Sequence, residues 1–328
     1  MQSITKPSVD RATVDALVTA AFGPGALPVR SRPITDGTYN TIVRVALADG
    51  RTAMLKVAPA PDAPQLSYER DILRTEALFF DRAAGLDGVP TPRLLSTGFE
   101  RSLVPGDFVF MTEVPGRSLS ALHASLAPEE LAAVRRDLGG VVARLHTVRG
   151  DTFGYPQAAS AGSWAEAFGG MAEVILADAE RLGADLTRPA AEIRAAVTGA
   201  LGLLEGVTVP VLVHFDLWDG NVLVEGSRVS GVIDGERAFW GDPYADFASL
   251  ALFGDIEDDA AFLEGYRAAG GSVAFTAGNR RRIALYRVYL YLIMLTEGSV
   301  RGYTEEQSAK LRDFLGPLLA GDLAALKG

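Results

Sequence analysis

The stretch LVHFDLWDGNVLV, residues 212–224, is an apolar strand that breaks off for eight residues and then resumes. Between Val213 and Val222 the chain places His214, Asp216, Trp218, Asp219, Gly220 and Asn221. A surface hairpin would need only two residues, of the Asn-Gly or Asp-Gly kind. Thirteen residues beyond Asn221 a second apolar strand, SGVID, ends in Asp234 and is followed by Gly235 and Glu236. Two strands that each end on an oxygen donor can grip a hard cation from two sides, since magnesium takes oxygen ligands and keeps several waters. Asn221 and Asp234 are therefore the metal candidates, and Asp216 is left free to accept a proton from an attacking hydroxyl. The competing reading makes the insert a polar turn, with Asp216 as a cap and Asn221 in a tight bend.

Bulk properties narrow the choice. A chain of 328 residues can bury a large core as one two-lobed unit or two domains. Its net charge of −10 argues against a nucleic-acid partner. The absence of cysteine excludes disulfides, thiolate metal sites and a cysteine nucleophile. The N-terminal residues show no basic segment leading into an apolar one, so no export signal is read and a cytoplasmic location is expected. The run YLYLIML, residues 289–295, is too short to span a bilayer and reads as a buried helix, so no membrane partner is expected. Lysine occurs only at positions 6, 56, 310 and 327, which makes Lys56 conspicuous.

Along the chain, Ser8 can cap a helix that runs to Phe22 and stops at Gly23-Pro24. From Val29 to Val57 the pattern is strand, with a hairpin whose tip is Asp49-Gly50 and a polar turn, TDGTYN, ahead of it. Residues 66–85 carry Leu66, Ile72, Leu73, Leu78, Phe79 and Phe80, a helical pattern closed by Gly85. GVPTPRLLSTGFE and GDFVFMTEVPG supply two more strands. Helices are expected at about 128–148, 162–183, 188–205, 243–253, 258–269, 277–298 and 304–325. The expected fold is α+β and two-lobed: a small strand-rich lobe over 1–111, a hinge at 112–116 and a larger helical lobe over 117–328.

Lys56, near the end of the third strand, can reach a phosphate if a carboxylate holds its ammonium in place. Glu76 on the next helix can do so, and Glu69, two turns earlier on the same predicted face, is the competitor. TDGTYN is a candidate turn over the donor phosphates, the nucleotide turn: Gly37 permits close backbone approach and Asn40 can tie the turn down. FMTEVPG can offer backbone groups to a purine at the lobe junction.

Together these segments resemble the aminoglycoside phosphotransferase and choline-kinase-like small-molecule kinases, which share the protein-kinase fold. The likeness rests on GTYN with LKV, Glu76 ahead of GVPTPRLL, FMTEVPGRSL, RLHTV followed by FGYP, VHFDLWDGNVLV, GVIDGE and GDPYADFASL. DLWDGN also resembles fructosamine kinases. The resemblance implies Asp216 as catalytic base, and Asn221 and Asp234 as ligands of magnesium, two ions in all. It implies Lys56 on the phosphates of ATP or GTP and paired with Glu76, with the Thr112 carbonyl and Val114 amide on the base. His146 resembles a structural position, and Asp242 and Asp246 are expected to brace the catalytic loop. Two departures stand out: Phe215 replaces the usual glycine between His214 and Asp216, and the nucleotide turn has Tyr39 where a small residue is common.

Only seven residues separate Asp234 from Asp242, too few for the segment on which protein kinases dock a peptide, so a protein substrate is not expected. The expected acceptor is a small hydroxyl-bearing molecule. Candidate wall residues are Trp164, Asp178, Trp240, Tyr286, Glu297 and Arg301, all of which would serve equally well as core. The resemblance favours an antibiotic acceptor (an aminoglycoside, nucleoside or similar compound) in a resistance enzyme. The alternatives are a ketosamine, sugar or other small-metabolite kinase and a non-catalytic nucleotide-binding pseudokinase. Retention of Lys56, Asp216, Asn221 and Asp234 counts against the last.

Overall fold

The computed structural model describes residues 6–35, 37, 39–159 and 161–327. Helix α1 (Arg11–Phe22) is capped by Asp10, whose carboxylate accepts from the Thr13 amide, so Asp10 takes the place expected of Ser8. Five strands follow in an antiparallel sheet of order β1-β2-β3-β5-β4: β1 (Pro28–Ile34), β2 (Thr41–Leu47), β3 (Thr52–Val57), β4 (Leu94–Gly98) and β5 (Phe108–Thr112). Strand parity decides what each face does. Ala53, Leu55 and Val57 pack with Val43 and Val45 beneath Val14, Leu17 and Val18 of α1. Met54 and Lys56 must then point to the opposite face. On that face lies helix α2 (Ile72–Ala83).

The helix expected over 66–85 is broken. Ser67–Glu69 forms a separate 3-10 turn, and Asp71 adopts a left-handed conformation with φ 58° before α2 starts. Glu69 and Glu76 therefore do not share a helix face.

After Thr112, residues 113–116 carry no regular structure and lead into β6 (Arg117–Ser118) and the short helix α3 (Leu119–Leu122). The remainder is largely helical: α4 (Pro128–Leu145), α5 (Trp164–Leu182) and α6 (Ala190–Ala200) precede the strands β7 (Val211–Val213), β8 (Val222–Glu225), β9 (Arg228–Val232) and β10 (Phe239–Gly241). Four more helices complete it: α7 (Asp246–Leu250), α8 (Ala260–Ala268), α9 (Ala277–Arg301) and α10 (Glu305–Leu326). The interrupted strand is explained by its pairing. β7 pairs with β10, whereas β8 pairs with β9 and β6, so residues 214–221 cross between two sheets instead of closing a hairpin. Among the described residues α9 alone is long and apolar enough to cross a membrane, but 78% of its apolar window is buried inside the protein, as in a core helix.

Candidate active site

The crossing loop is held from behind. Asp246, fully buried at the start of α7, accepts from the amides of His214 (3.1 Å) and Phe215 (2.7 Å) and pairs with His146 Nε2 at 2.9 Å. The Ser249 hydroxyl accepts from the Leu217 amide at 3.0 Å. His214 lies 3.0 Å from the Ile233 carbonyl through Nε2, while its Nδ1 accepts from the Asp216 amide at 3.2 Å, so the ring proton sits on Nε2. Asp246 thus has the bracing place expected of it. Asp242 does not. It takes the Tyr286 hydroxyl (2.6 Å) and Arg282 (3.0 Å), tying its segment to α9. Phe215 has φ 60°, a conformation that favours glycine. The protein tolerates it because the ring is fully buried against Phe239 and Tyr289, with centroids 5.1 and 5.6 Å away.

On the sheet side, Lys56 Nζ lies 2.8 Å from Glu76, 2.5 Å from Asp234 and 3.0 Å from Glu236. Burial opposes the ammonium, but Asp234, Glu236 and Glu76 outweigh it and hold the lysine pKa well above its ordinary value. Burial pushes Glu76 up to about 8 against the pull of Lys56. Burial raises Glu236 as well. For Asp234 burial also works upward, yet Lys56 prevails and keeps its carboxyl below the usual range. The competition between Glu69 and Glu76 is settled by these contacts: Glu69 pairs instead with Arg301.

The Asp216 carboxylate receives Asn221 Nδ2 at 3.2 Å, and the same amide reaches the Asp216 carbonyl at 2.9 Å. Arg237 approaches its other oxygen at 3.5 Å and pairs with Glu297 at 3.0 Å. Burial raises the Asp216 pKa, with Arg237 pulling the other way.

The donors at the strand ends suit magnesium. Asn221 spends its amide nitrogen on Asp216, which leaves Oδ1 for a cation. The Ile233 amide donates to the Asn221 carbonyl at 3.0 Å, fixing the residue before Asp234 beside Asn221. Glu76, Asp234 and Glu236 offer oxygens within 4.8 Å of one another, three carboxylates around a single ammonium. A bound cation would relieve that excess of negative charge.

In TDGTYN, the candidate nucleotide turn, Gly37 has φ 81°, and the buried Asn40 donates to Glu236 at 2.7 Å; Asp36 and Thr38 lie outside the described residues. Thr112 ends β5 and Val114 lies in the unstructured connection beyond it, with its side chain against Gly231.

A cavity of about 300 Å³ opens at Asp216, walled by Trp218, Arg237, Leu252, Phe253, Leu290, Met294 and Glu297. Of the six acceptor-wall candidates only Glu297 lines it. Trp164 and Tyr286 are fully buried in the core, where the indole donates to the Tyr286 hydroxyl at 2.8 Å. Asp178 is buried as a brace that accepts from the Ser67 amide (2.5 Å) and hydroxyl (2.8 Å). Trp240 bridges Gly154 through its backbone and covers Gly150. Arg301 is buried against Glu69. Helical spacing of aromatic residues marked core, not a wall. Glu236, Arg237 and Trp218 were not assigned from the sequence, although each lies within three residues of Asp234 or Asp216.

Similarity to other proteins agrees with this geometry. A protein of Lactiplantibacillus plantarum provisionally named a ketoamine kinase is 34% identical over 86 residues, which span 26% of this chain and only 29% of that relative. A solved structure from Thermobifida fusca, provisionally named a fructosamine-3-kinase, superposes with a TM-score of 0.69 at 24% identity, covering 95% of this chain and 98% of that one. A thermostable mutant of aminoglycoside phosphotransferase APH(4)-Ia, in ternary complex with AMP-PNP and hygromycin B, gives 0.60 at 18% identity over 95% and 98% of the two chains. At these identities the solved structures establish the shared kinase-like fold. The sequence profile of the phosphotransferase enzyme family matches residues 30–286, and the chain belongs to that family.

Proposed function

We propose that the protein transfers the γ-phosphoryl group of ATP or GTP to a hydroxyl of an amine-bearing sugar derivative. The observation that carries this reading is Asp216, held on a braced loop at a small cavity and close enough to Asp234 and Glu236, the partners of Lys56, for their charges to act on it. Residues 1–111 serve as the nucleotide lobe and 112–116 as the hinge, with the Thr112 carbonyl and Val114 amide facing the base. Residues 117–328 carry the acceptor. Asp216 takes the proton of the acceptor hydroxyl as its oxygen bonds to the γ-phosphorus, and the bond to the β–γ bridging oxygen breaks to release the nucleoside diphosphate. Lys56, oriented by Glu76, binds the donor phosphates. Asn221 and Asp234 would hold magnesium, which when bound would neutralise charge on those phosphates.

The cavity sets Glu297, already paired with Arg237, beside an apolar wall of Leu252, Phe253, Leu290 and Met294. The named relatives favour a ketoamine. The hygromycin B complex on the same fold supports a second reading, an aminoglycoside-type antibiotic. Nucleoside diphosphate release by the purified protein, measured against ketoamines and an antibiotic panel with each donor, separates the two. Asp234→Ala is the control and should release none; turnover unchanged in that folded variant would remove the site assignment.

A further inference from the structure

We propose that Arg301, the last residue of α9, is a positioning residue for the nucleotide turn and acts through the ring of Tyr39. This rests on the reading of residues 35–40 as the turn over the donor phosphates. The Arg301 guanidinium stacks over the Tyr39 ring, 4.5 Å from its centroid, and pairs with Glu69 where both side chains are at most 4% exposed. The Tyr39 hydroxyl reaches Gln65 Oε1 at 3.0 Å and the Glu69 carbonyl at 3.2 Å. Its neighbour Asn40 is tied to Glu236. Two adjacent residues of the turn are thus fixed, one to the carboxylate cluster and one to the end of a helical-lobe element. The large side chain at a position where related kinases carry a small one has a structural use here, as the surface that Arg301 grips.

Stability alone does not account for the pair. The attraction within a buried Arg–Glu pair roughly repays the desolvation of its partners, and an apolar pair of similar size often serves as well. A fixed guanidinium plane over a ring does specify one position of the turn. Leu290, Met294 and Glu297, which wall the acceptor cavity, precede Arg301 on the same helix at spacings of four, three and four. One rigid helix therefore touches the acceptor cavity at one turn and the nucleotide turn at the next.

The test uses the full chain, with AMP-PNP and magnesium as the probe, measuring affinity by calorimetry and melting temperature alongside. Tyr39→Leu and the double variant Glu69→Met/Arg301→Met should each raise Kd about tenfold, as when the competent turn falls to roughly a tenth of the population. The double variant should melt below the parent by no more than the loss of one buried hydrogen bond, since its charges leave together but the Leu66 amide loses the Glu69 carboxylate that accepts from it. Adding Tyr39→Leu to it should weaken binding no further, because both changes remove one contact. Parent-like affinity in Tyr39→Leu, or additive losses in the combined variant, would overturn the proposal. If the double variant does not fold, Tyr39→Leu decides alone. A parent protein that fails to bind AMP-PNP with magnesium overturns the nucleotide reading and this one with it, an outcome distinct from equal binding by parent and variants.

Discussion

Lys56 and Glu76 lie 2.8 Å apart with both side chains withdrawn from solvent, one on the face of β3 turned toward α2 and the other in the second turn of α2. Because positioning and charge stabilisation carry phosphoryl transfer, Lys56→Ala should lower kcat/KM by orders of magnitude. Glu76→Ala should have a milder effect through the lysine, and Glu69→Ala should not reproduce the Lys56→Ala loss. Steady-state kinetics on the three variants checks this; a Glu69 defect that copies Lys56→Ala would disprove the pairing.

Glu76 also sets a pH dependence. Its folded pKa is raised to about 8 from an ordinary 4.5, so the folded state keeps a proton that the unfolded chain releases. The stability this group contributes is complete below about pH 4.5 and is lost as pH rises through 8, with a slope of up to about 1.4 kcal/mol per pH unit for one proton. Without nucleotide or metal, the melting temperature should fall between pH 5 and 8. Glu76→Gln, which cannot titrate, should flatten that decline. Parallel curves for parent and variant would mean that Glu76 is ionised throughout.

Asp216→Asn should lower kcat by roughly 10²–10⁴-fold with nucleotide affinity nearly unchanged, the signature of a general base. Asn221→Ala should weaken metal and nucleotide binding more. If Asp216 were only a loop cap, its loss would cost stability of roughly 0.5–2 kcal/mol and spare turnover. Melting temperature, nucleotide affinity and turnover measured on the same preparations distinguish the two.

Phe215→Gly should relieve a left-handed backbone that costs a bulky residue about 1–2 kcal/mol. It also deletes a fully buried ring, and large-to-small changes of this kind cost about 3–5 kcal/mol. Net destabilisation of about 1–4 kcal/mol is expected from urea unfolding. A variant as stable as the parent would show that the ring contributes little to the packing behind the loop.

Much of this was legible in the sequence because it follows local rules. Alternation along β3 put Lys56 on the face opposite Leu55, and the polar interruption after Val213 marked the crossing loop. The choice between Glu69 and Glu76 was not legible, since it turns on a left-handed Asp71 that no glycine announces. The true partner of Glu69 lies 232 residues away, beyond the reach of any periodic pattern. Trp164 and Tyr286 were ambiguous for a different reason: an aromatic stripe at helical spacing serves a core and a cavity wall alike, and only the tertiary packing separates them.

The seven residues between Asp234 and Asp242 are almost wholly committed. Gly235–Arg237 coil into a 3-10 turn, and Phe239–Gly241 zip onto Val211–Val213 as an antiparallel strand. A stretch with no slack offers nothing for a modifying enzyme to seize and swing outward, so on–off control by refolding at this place is closed to the protein.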